Sequence, residues 1–163
     1  MGILARLIPH APNFTPVGAI ALFAGANLKG KWCVLLPLSV MILSDIFLGF
    51  DSWGIRMSVY GSFVLISLLG MFLRNKSNAL TVATASVAGS GIFFLITNWA
   101  VWQFGSLYQH TQAGLVEAYF MGVPFLRNML MGDLVYNAAF FGSFTLARGW
   151  RWKRPNVARI EIN

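Results

Sequence analysis

Between Ala79 and Phe104 the chain carries no charged residue. Such a stretch has one stable form in hydrocarbon, a helix that satisfies its own backbone, and it is long enough to cross a bilayer. Similar apolar segments occupy residues 15–28, 32–50, 57–73 and 125–147, and short turns such as KGK (29–31) and RNKSN (74–78) separate them. Across all 163 residues, 57% are hydrophobic and 10% charged, against about 25% charged in a soluble domain. The expected fold class is therefore all-α, an integral membrane helical bundle forming one domain. It has about five transmembrane helices, since each crossing takes about 20 residues.

Local signals place the ends. Thr15 can cap the first segment, and Pro16 suits a first helical position. Two prolines flanking His10 read as an irregular loop before it. Ala21 and Gly25 form a small-residue pair that permits close helix contact, as do Ala79 and Ala83. Pro37 is expected to kink the second segment. Residues 111–123 make about three helical turns, too short to span, and Pro124 follows. They read as a short half-helix on the outer face. MGILAR has neither a signal-peptide core nor the Ser/Thr of a myristoylation site. A lone Cys33 excludes an intrachain disulfide and reads as a small buried hydrophobe.

The net charge is +7, but the basic residues cluster at segment ends. That pattern sets topology and meets lipid headgroups; it does not point to nucleic acid. The positive-inside rule puts residues 29–31, 74–78 and the basic tail 148–163 in the cytoplasm. The bundle then occupies residues 15–147, with residues 1–14 outside. Five crossings satisfy these charges only if 111–123 does not cross by itself. The expected location is the inner (plasma) membrane, multi-pass, with a cytoplasmic C-terminus.

In that orientation the unusual polar residues fall in one leaflet, facing out. They are Asn13, Asp45, Asn98, Trp102, Glu117, Arg127, Asn128 and Asp133, with His10 and His110 nearby. Ionisable groups at membrane depth are expensive and mark functional sites by default. Phe94, Asn98 and Trp102 share one helical stripe, and Asp133, Tyr136 and Asn137 another. Arg127 and Asp133 point about 120° apart on one helix, so Arg127 is expected to reach Glu117 or Asp45 instead. Together these residues suggest an outward-facing, aromatic-walled polar cavity for a small molecule. Each has a plainer reading. Asp133 and Asn98 would glue helices, Trp99 and Trp102 would belong to an interfacial belt, Arg127 would snorkel, Glu117 would be solvated, and Asp51 is a solvated turn residue. His10 and His110 lack metal-ligand spacing, and no P-loop, HExxH or GxSxG is present. The expectation is therefore a protein with no cofactor and no enzymatic chemistry.

The segments PHAPNFTPVGAIALFAGA, LSDIFLGF, FFLITNWAVW and VPFLRNMLMGD together resemble an uncharacterised bacterial membrane family. That family is related to the substrate-binding S components of energy-coupling-factor (ECF) vitamin transporters. The resemblance spans about Arg6 to Leu146. It implies an S-component-like fold, a lid loop at Ile8 to Pro16, and ligand uptake energised by a transmembrane coupling subunit and ATPases. Only MGILA stands where such a fold has its first helix, so residues 1–14 would hold a remnant of it.

Three functions stay open on these grounds. The leading one is a membrane substrate-binding component for uptake of a vitamin- or micronutrient-like molecule. The second is a structural or assembly subunit without a ligand. The third is a lipid-modifying membrane enzyme using Asp45 and Asp133, which the absence of a DDxxD motif disfavours.

Overall fold

The computed structural model describes residues 2–9, 11–49, 52–74 and 77–152, with side chains described to residue 148. The expectations for His10, for Asp51 and for the tail from residue 153 onward lie outside these residues. The described residues form six helices and no strand: α1 (Gly2–Leu7), α2 (Val17–Asn27), α3 (Trp32–Leu48), α4 (Trp53–Met71), α5 (Ala79–Phe104) and α6 (Gln112–Trp152). Of these, α4 and α5 are long and apolar enough to span a membrane.

The centre of the bundle is α2, which packs against α3, α4, α5 and α6. It has only eleven residues. Val17, Ala19, Ala21 and Ala24 lose all solvent contact, and Leu22 keeps 1%. A helix that is apolar all round has to be enclosed on every side. Its small residues set how tightly. A Cβ on Gly25 would overlap the Ser67 carbonyl of α4, and one on Gly70 would overlap the Leu22 carbonyl of α2. The Ala21/Gly25 pair thus serves an ordinary close helix crossing inside the chain. Arg74 closes the far end of α2, where Nε donates to the Gly25 carbonyl at 3.0 Å and Nη2 to the Leu28 carbonyl at 2.6 Å. These are carbonyls that a helix C-terminus leaves without partners.

The boundaries of α5 match the apolar run, because Asn78 and Thr81 form a capping box at its start. Cys33 is buried at 4% exposure, its thiol donating to the Gly30 carbonyl. Pro37 lies inside α3.

One expectation is corrected. The half-helix 111–123 and the last helix are one continuous 41-residue α6 with Pro124 inside it. Proline removes one backbone bond and presses on the carbonyl four residues back. Pro124 is itself exposed, so its ring stands on an open face of the helix. At about 1.5 Å per residue α6 is about 60 Å long. The N-terminal stretch holds a short helix. Residues 2–7 form α1, which packs on α3.

Candidate functional site

A cavity of about 410 Å³ opens where α1, α3, α4 and the loop before α2 meet. Asp45 anchors it. Its position one turn before the end of α3 points the carboxylate at two neighbouring elements. Oδ1 accepts a hydrogen bond from Arg6 Nη1 of α1 at 2.7 Å, an ion pair. Oδ2 accepts from the Tyr60 hydroxyl of α4 at 2.7 Å. Arg6 also donates to the Ser44 hydroxyl beside it. With both carboxylate oxygens occupied, Asp45 fixes the Arg6 and Tyr60 side chains in place, and the Arg6 donors outside that bond remain for other groups.

Arg56 on α4 adds a second guanidinium, and Asn13 and Thr15 add polar groups from the loop. Asn13 holds a left-handed backbone, φ 62°, a conformation that asparagine tolerates better than most residues. The loop is pinned to α6. Asn128 Nδ2 donates to the Pro12 carbonyl at 3.1 Å, and the Phe14 and Tyr136 rings meet at 5.8 Å. The remaining wall is apolar, including Met41, Val59, Phe63, Phe93 and Met129. Val17 and Gly18 line it too, so the N-terminus of α2, its positive dipole end, faces the cavity. The Arg6 donors outside its bond to Asp45, together with the N-terminus of α2, make a space that favours a hydrogen-bond-accepting group.

Asp133 lies behind Gly18 and does not line the cavity. It is 3% exposed. Ser90 of α5 donates to its Oδ2 at 2.8 Å, and the Ala19 backbone N–H of α2 lies against the same carboxylate. One turn on, Asn137 Nδ2 donates to Ser86 at 2.8 Å. The Oδ1 atoms of both Asp133 and Asn137 are buried without a hydrogen-bond partner. Asp133 therefore joins three helices: it faces α5 while complementing the orphan donors at the start of α2.

Of the eight residues singled out in the sequence, Asp45 and Asn13 line the cavity. Asn128 holds its loop, and Asp133 supports its floor. The stripe of Phe94, Asn98 and Trp102 faces α6 and the loop before it. Phe94 meets the Tyr119 ring, Asn98 fills the space that a side chain on Gly122 would take, and Trp102 Nε1 donates to the Gln109 carbonyl. Glu117 and Arg127 are exposed on α6. The expected partnership of Arg127 with Asp45 is corrected: Arg6 holds that carboxylate, and among the described residues no ion pair joins Arg127 to Glu117. Trp102 does not line this cavity, whose aromatic groups are Tyr60, Phe63 and Phe93.

Sequence reasoning passed over Arg6, Tyr60, Arg56 and Thr15. One signal was available for Arg6, a lone cation within the apolar MGILARLI. Tyr60 lies 15 residues from Asp45 in sequence, and the packing of α4 against α3 brings the two together.

The chain belongs to the family of unknown function DUF6580, whose model matches residues 1–156. No curated protein and no solved structure matches it.

Proposed function

We propose that this DUF6580 member is a multi-pass membrane protein that binds a small molecule for uptake, with partner subunits supplying the energy. The observation that carries the reading is the Arg6–Asp45–Tyr60 constellation in a cavity of about 410 Å³. Sites for drug-sized ligands are of this kind, mostly apolar with a few fixed polar groups. The eleven-residue α2 supports it further. A half-span helix whose N-terminus faces a cavity is how many transporters present a positive dipole to an anionic substrate group. The ligand class that fits is a small metabolite with a carboxylate or phosphate beside an apolar part.

Membrane placement is supported by the outward faces. Phe47, Phe72, Leu80, Phe120 and Leu146 are each more than 70% exposed, a pattern suited to lipid and costly in water. Trp32 and Trp53 stand exposed at opposite ends of the bundle, as interfacial tryptophans do. Lys29, Lys31, Arg74 and Arg148 share the end opposite the cavity, which favours a cytoplasmic placement for that end. Coupling to ATPase and transmembrane partners rests on the resemblance to S components.

A second reading, a structural subunit without ligand, draws on the engagement of Asp133 and Asn98 in helix packing. The two separate in one experiment. Native mass spectrometry of the gently extracted protein should show one co-purified metabolite, lost in Arg6→Gln and Arg56→Gln. An empty protein whose melting temperature ignores a panel of anionic vitamins and cofactors would overturn the uptake reading.

A further inference from the structure

At the end of the bundle opposite the Arg6–Asp45 cavity lies a cleft of about 1070 Å³, between the end of α2, the α4–α5 turn and the last turns of α6. Lys29, Arg74 and Arg148 supply its charge, and among the described residues no acidic side chain lines it. Arg74 uses Nε and Nη2 on the end of α2 but keeps its full charge. The Arg148 guanidinium lies 5.2 Å from the Phe144 ring. The N-terminus of α5 in this cleft is already closed by its own capping box, so the three cations set the local field. Like charges gathered this closely repel one another, and an anion among them relieves that cost.

A second space of about 650 Å³ begins at Ser77 and Asn78, which line both. It runs between α5 and α6 past Val82, Ala83, Leu134, Ala138 and Leu146. A basic mouth that continues into an apolar furrow suits one amphipathic molecule. Free phosphate would leave the furrow uncovered, and an apolar partner helix would leave the cations unpaired. We infer that this surface binds one anionic phospholipid, with its phosphate among Lys29, Arg74 and Arg148 and one acyl chain between α5 and α6. This inference rests on the membrane placement proposed above and is independent of the ligand cavity.

The test is native mass spectrometry of the full chain in mild detergent, titrated with phosphatidylglycerol or with phosphatidylcholine of the same chains. One phosphatidylglycerol should stay bound under activation that strips phosphatidylcholine. Lys29→Gln combined with Arg148→Gln changes two exposed residues outside the α2 cap. It should weaken retention about thirtyfold, from two lost headgroup charges. Ala138→Phe, at an exposed position in the furrow, should weaken it as well. Equal retention of the two lipids, or an unchanged charge variant, would overturn the inference. So would glycerol phosphate binding as tightly as the lipid and indifferent to Ala138→Phe, which marks a soluble-phosphate site. A chain that stays monodisperse without detergent would instead overturn the membrane placement.

Discussion

Gly18 leaves no room for a methyl group between its backbone and the Asp133 carboxylate. That missing side chain lets a carboxylate on α6 reach the first donors of α2, and the two residues act as one joint.

Gly18→Ala should therefore destabilise the protein by about 1–3 kcal/mol, the usual cost of overfilling a packed site. Asp133→Ala alone removes the acceptor for Ser90 and for the start of α2. The double variant should be more stable than the sum of the two losses, since the clash vanishes with the carboxylate. Chemical denaturation in detergent measures all three, and strict additivity would contradict the joint.

Arg6→Gln should cost about 3 kcal/mol, because Asp45 is left largely buried with its partner gone. Asp45→Asn should cost a similar amount, and the two together less than their sum. Thermal unfolding of the four forms gives the coupling directly. Full additivity would mean that the 2.7 Å contact between α1 and α3 contributes little to the fold.

Tyr60→Phe removes one hydroxyl and leaves the ring. Stability should fall by about 1–2 kcal/mol, the value of a hydrogen bond to a charged acceptor. Ligand affinity, if Tyr60 orients the site as proposed, should fall by about tenfold. Isothermal titration with the co-purified metabolite separates the two effects.

Arg74→Lys keeps the charge but cannot fork between two carbonyls. It should lose about 2 kcal/mol through the end of α2. Amide hydrogen exchange should rise first at Ala24 to Leu28, and unchanged protection there would show that the cap is not what holds this terminus.

Much of the architecture was legible because lipid-compatible helices announce themselves through composition. Asn78 and the charge-free run after it set α5 to the residue. Pro124 misled, because proline is a strong local stop signal, whereas whether a helix continues through it depends on the surroundings of its exposed face, a tertiary fact. The site was half legible. Asp45 and Asn13 stood out as polar groups near one end of the bundle. Arg6 did not, since its meaning lies in a bond spanning 39 residues of sequence. The stripe of Phe94, Asn98 and Trp102 was correctly seen as a face, but periodicity gives a direction and does not say whether a cavity or another helix lies there. Asp133 stood out by charge alone, and charge does not distinguish a ligand contact from a cap on a neighbouring helix.

The shortness of α2 also bears on how the protein is made. Eleven residues reach about 16 Å, half the hydrocarbon thickness, so α2 falls short of the length at which a segment partitions into lipid as an independent span. Most of it is enclosed by α3 to α6, and only Ile20, Phe23, Ala26 and Asn27 keep part of their surface. In the membrane placement proposed above, α2 reaches its place only after the later helices have been inserted and can close around it. The element nearest the N-terminus of the core is then among the last to settle. Ribosome-stalled chains ending before α6 should leave α2 accessible to water-soluble labels.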